Sequence, residues 1–94
     1  MSNCWYLYVL ECDDGTLYTG ITTDPERRLT EHNESPKGAR YTRARRPVEM
    51  IVQWIYSDQS SAAKAEYSFK QLRRPEKLER IEADEPPRPE SDAS

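Results

Sequence analysis

From Trp5 to Cys12 the chain is dense in aromatic and β-branched side chains, a composition that suits a pleated, half-buried surface and predicts a strand. Asp13-Asp14-Gly15 follows as a turn signal and Leu17–Thr22 reads as a second strand, so the two form a hairpin. Asp24-Pro25-Glu26 then starts a helix, with a capping carboxylate, a proline at the first helical position and an acid in the first turn. That helix is expected to reach about His32 or Asn33, and Glu34–Pro47 to be a loop. Val48–Ser57 alternates as a third strand, with Val48, Met50, Val52, Trp54 and Tyr56 on one side. Asp58 or Ser60 caps a helix running to about Leu72, whose apolar stripe is Ala62, Ala65, Phe69 and Leu72. Arg74-Pro75 breaks it, a short helix runs from Pro75 to about Ala83, and the prolines and acids beyond predict a disordered tail. The order β-β-α-β-α-α predicts an α+β domain over residues 1–81, a small three-stranded sheet flanked by helices, and a tail over residues 82–94.

Length and charge refine this picture. Ninety-four residues make one domain, able to bury only about 60–65% of its unfolded surface. The net charge of −3 would argue against a polyanionic partner if it were spread evenly. It is not: Glu82, Asp84, Glu85, Glu90 and Asp92 against Arg88 give residues 82–94 a charge of −4, so residues 1–81 carry +1. Within that body Lys37, Arg40, Arg43, Arg45 and Arg46 stand together with no acid among them, a run suited to phosphates. Cys4 and Cys12, on one strand, would lie about 26 Å apart, too far to bridge. With no Cys/His cluster, no targeting pattern and no membrane-length apolar run, a soluble cytoplasmic protein is expected.

Candidate chemistry sits on these elements. Tyr6 and Tyr8 share one face of the first strand, Tyr18 and Gly20 one face of the second, and the hairpin can bring Tyr8 and Tyr18 together. The pattern fits either ordinary sheet packing or a presented pair of phenols. Arg28 and His32, four apart on the first helix, form either a solvated polar face or a site for an anion, while Arg27 points about 100° away. Glu66 falls on or beside the apolar stripe of the long helix. A carboxylate there is costly unless it pairs with an arginine or binds a metal. Lys37, Arg40, Tyr41, Arg43, Arg45 and Arg46 form either a phosphate-binding surface with an aromatic ring for stacking, or a charged loop. Ser35, Ser60 and Ser61 have no base at a recognisable spacing, and the glycines are too far apart to cradle a nucleotide.

In order, these positions resemble the GIY-YIG nuclease superfamily. Its first motif is similar to Tyr6-Leu7-Tyr8 and its second to Tyr18-Thr19-Gly20. Arg28 and His32 match the family's arginine and histidine, and Glu66 its metal-binding glutamate. Lys37-Gly38-Ala39-Arg40-Tyr41-Thr42-Arg43 resembles the small, stand-alone bacterial subgroup, and the likeness covers about residues 5–81. It implies an endonuclease that hydrolyses DNA phosphodiester bonds in repair or recombination. Glu66 would hold one Mg²⁺ or Mn²⁺ ion, and Arg28 would neutralise charge on the phosphate. Tyr18 would activate water with Tyr8 beside it, and His32 would assist proton transfer. A phenol is a poor base near neutral pH, so whether Tyr18 or His32 is the base stays open. The alternative is a non-catalytic nucleic-acid-binding or partner-docking module on the same fold. Two departures stand out: Tyr6-Leu7 replaces Gly-Ile, and no asparagine follows the glutamate, the last being Asn33. Without a separate DNA-binding domain in view, branched or nicked DNA, or a protein partner, would supply targeting.

Overall fold

The structure, a computed structural model, describes residues 4–87. The first strand, β1 (Trp5–Glu11), is returned antiparallel by β2 (Leu17–Thr22). Between them Gly15 takes φ +86°, the left-handed region a side chain disfavours, and the Asp14 carboxylate accepts from both the amide and the hydroxyl of Thr16. The register sets Tyr8 opposite Gly20 and Leu10 opposite Tyr18. α1 (Pro25–Glu34) starts as expected, with Asp24 accepting from the Arg27 amide at 3.2 Å. A four-residue helix, α2 (Arg40–Arg43), precedes β3 (Glu49–Tyr56), which pairs antiparallel with the other edge of β1 to give the sheet order β2-β1-β3. Two further helices follow, α3 (Gln59–Lys70), capped by Asp58, and α4 (Arg74–Ala83). The α+β class and the flanked three-stranded sheet are as the sequence predicts.

Period-two alternation divides β1 between two cores. Leu7 and Val9 pack with Trp54, Ala65 and Phe69 on the side of α3 and α4. Tyr8, Leu10 and Cys12 pack with Val48, and with Tyr18, Leu29 and Met50, on the side of α1. Everything bearing on the candidate site descends from this split, because it sends Tyr8 toward α1 and leaves α3 on the opposite face.

Three expectations are corrected. The loop predicted over Glu34–Pro47 contains α2, whose four polar residues carry no periodicity. It is nucleated by the Ala39 carbonyl, which accepts from the amides of Thr42 and Arg43 and has the Thr42 hydroxyl oxygen 2.9 Å away. β3 does not keep Val48, Met50, Val52, Trp54 and Tyr56 on one side. Val9 faces Val52 and Leu10 faces Met50, so Ile51 is an inserted residue, and a bulge inverts the alternation. Val48 and Met50 therefore join one core, and Val52, Trp54 and Tyr56 the other. Lastly, the segment predicted as a tail from residue 82 begins as the end of α4, closed by Asp84 at φ +57°. The indole N–H of Trp54 donates to the Asp84 carboxylate at 2.9 Å, and the Tyr56 hydroxyl donates to the carbonyl of the buried Pro87 at 2.7 Å. Residues 88–94 of the predicted tail lie outside the described residues.

Candidate active site on the hairpin and first helix

Tyr8 is buried, 1% exposed, and its ring crosses β2 at Gly20. A Cβ at position 20 would stand 2.5 Å from the Tyr8 hydroxyl oxygen, so a glycine is what lets the phenol lie there. The hydroxyl meets His32 Nε2 at 2.8 Å, and His32, 0% exposed, has its Nδ1 2.9 Å from the hydroxyl oxygen of the equally buried Thr42. Tyr18, one register step along β2, packs edge-on to the His32 ring at 5.2 Å between centroids. Tyr41 stacks on Tyr18 at 5.8 Å, and the Arg45 guanidinium lies 3.9 Å above Tyr41, anchored to Asp14 at 3.1 Å. The turn of the hairpin thereby holds one end of an aromatic column that ends on the buried histidine.

Arg28 and Glu66 bring the charges. Arg28 is partly exposed, donating to Glu31 at 2.8 Å and to the Lys37 carbonyl at 3.0 Å, with its guanidinium set against the Tyr8 hydroxyl. A cleft of about 200 Å³ beside it is lined by Thr22, Thr23, Asp24, Arg27, Arg28 and Glu31. Glu66 is half-buried at the edge of α3, its carboxylate 3.1 Å from Lys70, a lysine where the sequence led us to expect an arginine or a metal. Its effect on the Tyr8 phenol is small beside that of burial. Thus the structure brings Tyr8, Tyr18, Arg28 and His32 into one contact set and places Glu66 within electrostatic reach of it.

Burial dominates the ionisation here. It pushes the Tyr8 phenol up to about 12, with Tyr18 and Glu66 adding and Arg28 opposing. Burial likewise brings His32 from 6.5 down to about 4, assisted by Arg28 and Arg46 and opposed by Glu31. His32 is therefore neutral near pH 7, and both its nitrogens face protein. A buried neutral histidine also links folding to pH. Between pH 6.5 and 4 the unfolded chain takes up a proton that the folded chain refuses. The stability His32 contributes is full above pH 6.5 and falls as the pH drops toward 4. With each tenfold change in proton affinity worth ~1.4 kcal/mol, discounted for relaxation, the expected loss is about 2 kcal/mol. Urea midpoints of the wild type and His32→Asn should diverge in slope across that window, and parallel curves would exclude the effect.

The run of basic residues is not one surface. Arg46 turns inward and donates to the carbonyls of Glu31, His32 and Ser35 at the end of α1, adding to the Ser35 and Gly38 amides that reach the first and last of them. Arg45 is committed to Asp14 and Tyr41. Of the predicted nucleic-acid contacts, Lys37, Arg40, Tyr41 and Arg43 are exposed, the Tyr41 ring being engaged by Tyr18 and Arg45, and Arg46 is corrected to a helix-capping residue. Adjacency in sequence could not reveal this, because the pull on Arg46 comes from the end of α1, eleven or more residues earlier. Sequence reasoning missed Thr42 as a site residue. It also missed Asn33, whose side chain pairs with both the amide and the carbonyl of Val48 and ties α1 to the start of β3. The signal for Thr42 was its place in the Lys37–Arg43 stretch; Asn33 offered none.

Among the described residues, no group of three or more His, Cys, Asp or Glu side chains is placed to hold a metal ion, and no helix is long and apolar enough to cross a membrane. The family model of the GIY-YIG catalytic domain matches residues 4–79. The UPF0213 protein DP2720 of Desulfotalea psychrophila is 53% identical over 81 residues, 86% of this chain and 74% of that protein. The UPF0213 protein SAG0778 of Streptococcus agalactiae is 55% identical over 73 residues, 78% of this chain and 82% of that one. Two solution NMR structures are similar. That of the UPF0213 protein BH0048 from Bacillus halodurans has a TM-score of 0.56 at 41% identity, covering 85% of this chain and 84% of its own. That of the protein EF2693 from E. faecalis has a TM-score of 0.61 at 49% identity, covering 89% and 91%.

Proposed function

Because this chain belongs to the GIY-YIG catalytic-domain family, a family of nucleases, we propose that it is a divalent-metal-dependent endonuclease that hydrolyses DNA phosphodiester bonds, acting in repair or recombination. The observation that carries this reading is the clustering of the hairpin phenols with α1: the buried Tyr8 hydroxyl on His32, the Tyr18 ring edge-on to the same imidazole, and the partly exposed Arg28 one turn before it. Hydrolysis of a phosphodiester calls for positive charge at the phosphate, which Arg28 on α1 offers, and negative charge for a metal, which Glu66 on α3 offers.

Tyr18, Arg28 and Glu66 are partly exposed, whereas Tyr8 and His32 are sealed. We assign substrate contact to the first three and support to the other two. Arg28 donates to the scissile phosphate and stabilises the charge that develops on it. Tyr18 orients the attacking water, since neither His32 nitrogen faces outward. Lys37, Arg40 and Arg43, with Tyr41, track the flanking phosphates. Glu66 is one half-buried carboxylate, which fits a Mg²⁺ or Mn²⁺ ion completed by substrate phosphate oxygens and water rather than a protein cage. Its pair with Lys70 is half-exposed on a flexible stem and is readily exchanged. When bound, the ion supplies positive charge to the phosphate oxygens and the leaving group.

The test is nicking of plasmid and cleavage of branched DNA with Mg²⁺, with Mn²⁺ and with chelator. Cutting with either ion and none in chelator is expected. Cutting that survives the chelator would remove the metal from the proposal, and binding without cutting would favour a non-catalytic DNA-binding module.

A further inference from the structure

The chain has a single histidine, and its proton can be placed from the groups around it. The Ala39 amide hydrogen points at His32 Nδ1, with the nitrogens 3.3 Å apart. An amide N–H only donates, so Nδ1 must present its lone pair there. The Thr42 hydroxyl oxygen stands 2.9 Å from the same nitrogen, and 2.9 Å from the Ala39 carbonyl. With the Ala39 amide donating to Nδ1, the single hydroxyl proton must also turn to Nδ1, while the Ala39 carbonyl is satisfied by the amides of Thr42 and Arg43. A neutral imidazole carries one proton, which leaves Nε2, 2.8 Å from the Tyr8 hydroxyl oxygen.

We infer that Thr42, with the Ala39 amide, is a positioning residue that locks His32 as the Nε2–H tautomer, so that His32 is a fixed donor to Tyr8 and not a base. The role given to this lock in cleavage rests on the nuclease reading above; the tautomer does not. The chain of contacts runs from the loop before α2 inward: Ala39 and Thr42 hold His32, His32 holds the Tyr8 hydroxyl, and Arg28 is set against that hydroxyl. Each link is buried or half-buried and crosses from one element to another, so a ring flip of His32 would break bonds at both ends. Gly38 supports the arrangement, because it lets the loop lie against the backbone of Glu31 and His32. The Lys37–Arg43 stretch is thereby more than a basic surface: its inward-facing members, Gly38, Ala39 and Thr42, set the geometry of the site that its outward-facing cations serve.

Histidine-labelled ¹⁵N NMR of the full chain reads His32 alone. In the wild type near pH 7, Nδ1 is expected to resonate as an unprotonated, pyridine-like nitrogen and Nε2 as a protonated one. Thr42→Val keeps the shape and removes the hydroxyl. It should move the two nitrogen shifts toward each other as the second tautomer becomes populated, and lower kcat for DNA cleavage about tenfold with KM nearly unchanged, the size of loss seen when an orienting partner is removed. Thr42→Ser should restore both the spectrum and kcat. A pyridine-like Nε2 in the wild type, or a Thr42→Val spectrum identical to it, overturns the inference. If Thr42→Val does not fold, the wild-type spectrum and Thr42→Ser still decide. If the wild type cuts no DNA, the nuclease reading fails while the spectrum continues to report the tautomer.

Discussion

Glu66→Gln is expected to reduce metal-dependent DNA cleavage by about 10³-fold or more, equivalent to ~4 kcal/mol in the barrier, while leaving the protein folded. Glutamine has the same shape, and the neighbours of position 66 that stabilise α3 are the buried Ala62, Ala65 and Phe69, which the substitution does not touch. The charge is what changes. Loss of the partly exposed pair with Lys70 costs at most about 1 kcal/mol, a shift of a few degrees in Tm. The two readouts thus separate a chemical role from a structural one. A large loss of cleavage at an almost unchanged Tm is the predicted signature. Near-wild-type cutting by Glu66→Gln would remove the carboxylate from the mechanism, and a Tm collapse would show that Glu66 is needed for packing. Lys70→Met provides the complementary measurement: it frees the carboxylate without altering it, so cleavage should persist.

Much of this arrangement was legible in one sequence. Asp24 and Asp58 cap helices as their residue types and spacing indicate, because capping is local chemistry decided within a few residues. A short hairpin turn is enough to bring Tyr8 and Tyr18 to one face, as expected, although the residue directly opposite Tyr8 is Gly20. What could not be read depends on groups far away along the chain. The bulge at Ile51 has no signature in an apolar run that alternates cleanly, yet it decides which core receives Trp54 and Tyr56. The inward turn of Arg46 answers the carbonyls of α1, and the docking of Asp84 and Pro87 answers donors on β3. His32 illustrates the difference well. Its spacing from Arg28 was visible and suggested a solvated face or an anion site, and the family resemblance implied proton transfer, but only the packed structure shows it sealed at 0% exposure between Tyr8 and Thr42. Spacing reports which face a residue shares; it does not report what lies on top of that face.

Gly38→Ala is expected to be the most damaging small substitution in the loop. Gly38 is buried, its amide donating to the Ser35 carbonyl at 3.1 Å. A Cβ there would lie 2.6 Å from the Glu31 carbonyl oxygen and 2.7 Å from the His32 Cα. Both are backbone atoms inside a helix, so no side chain can rotate away and either the last turn of α1 or the loop must move. Overpacking of this kind costs about 3 kcal/mol, which for a domain of this size lowers Tm by roughly 12–24 °C. Displacing the loop also draws the Ala39 amide and the Thr42 hydroxyl off His32 Nδ1, so cleavage measured well below the new Tm should still fall, by about tenfold. Gly15→Ala separates this from a general intolerance of alanine for glycine. Gly15 has φ +86° but open space around its missing Cβ. It should lose only about 1 kcal/mol, with cleavage unchanged. Equal damage at both positions, or a Gly38→Ala protein that melts early yet cuts at the wild-type rate when folded, would show that the loop's close approach to α1 serves stability alone.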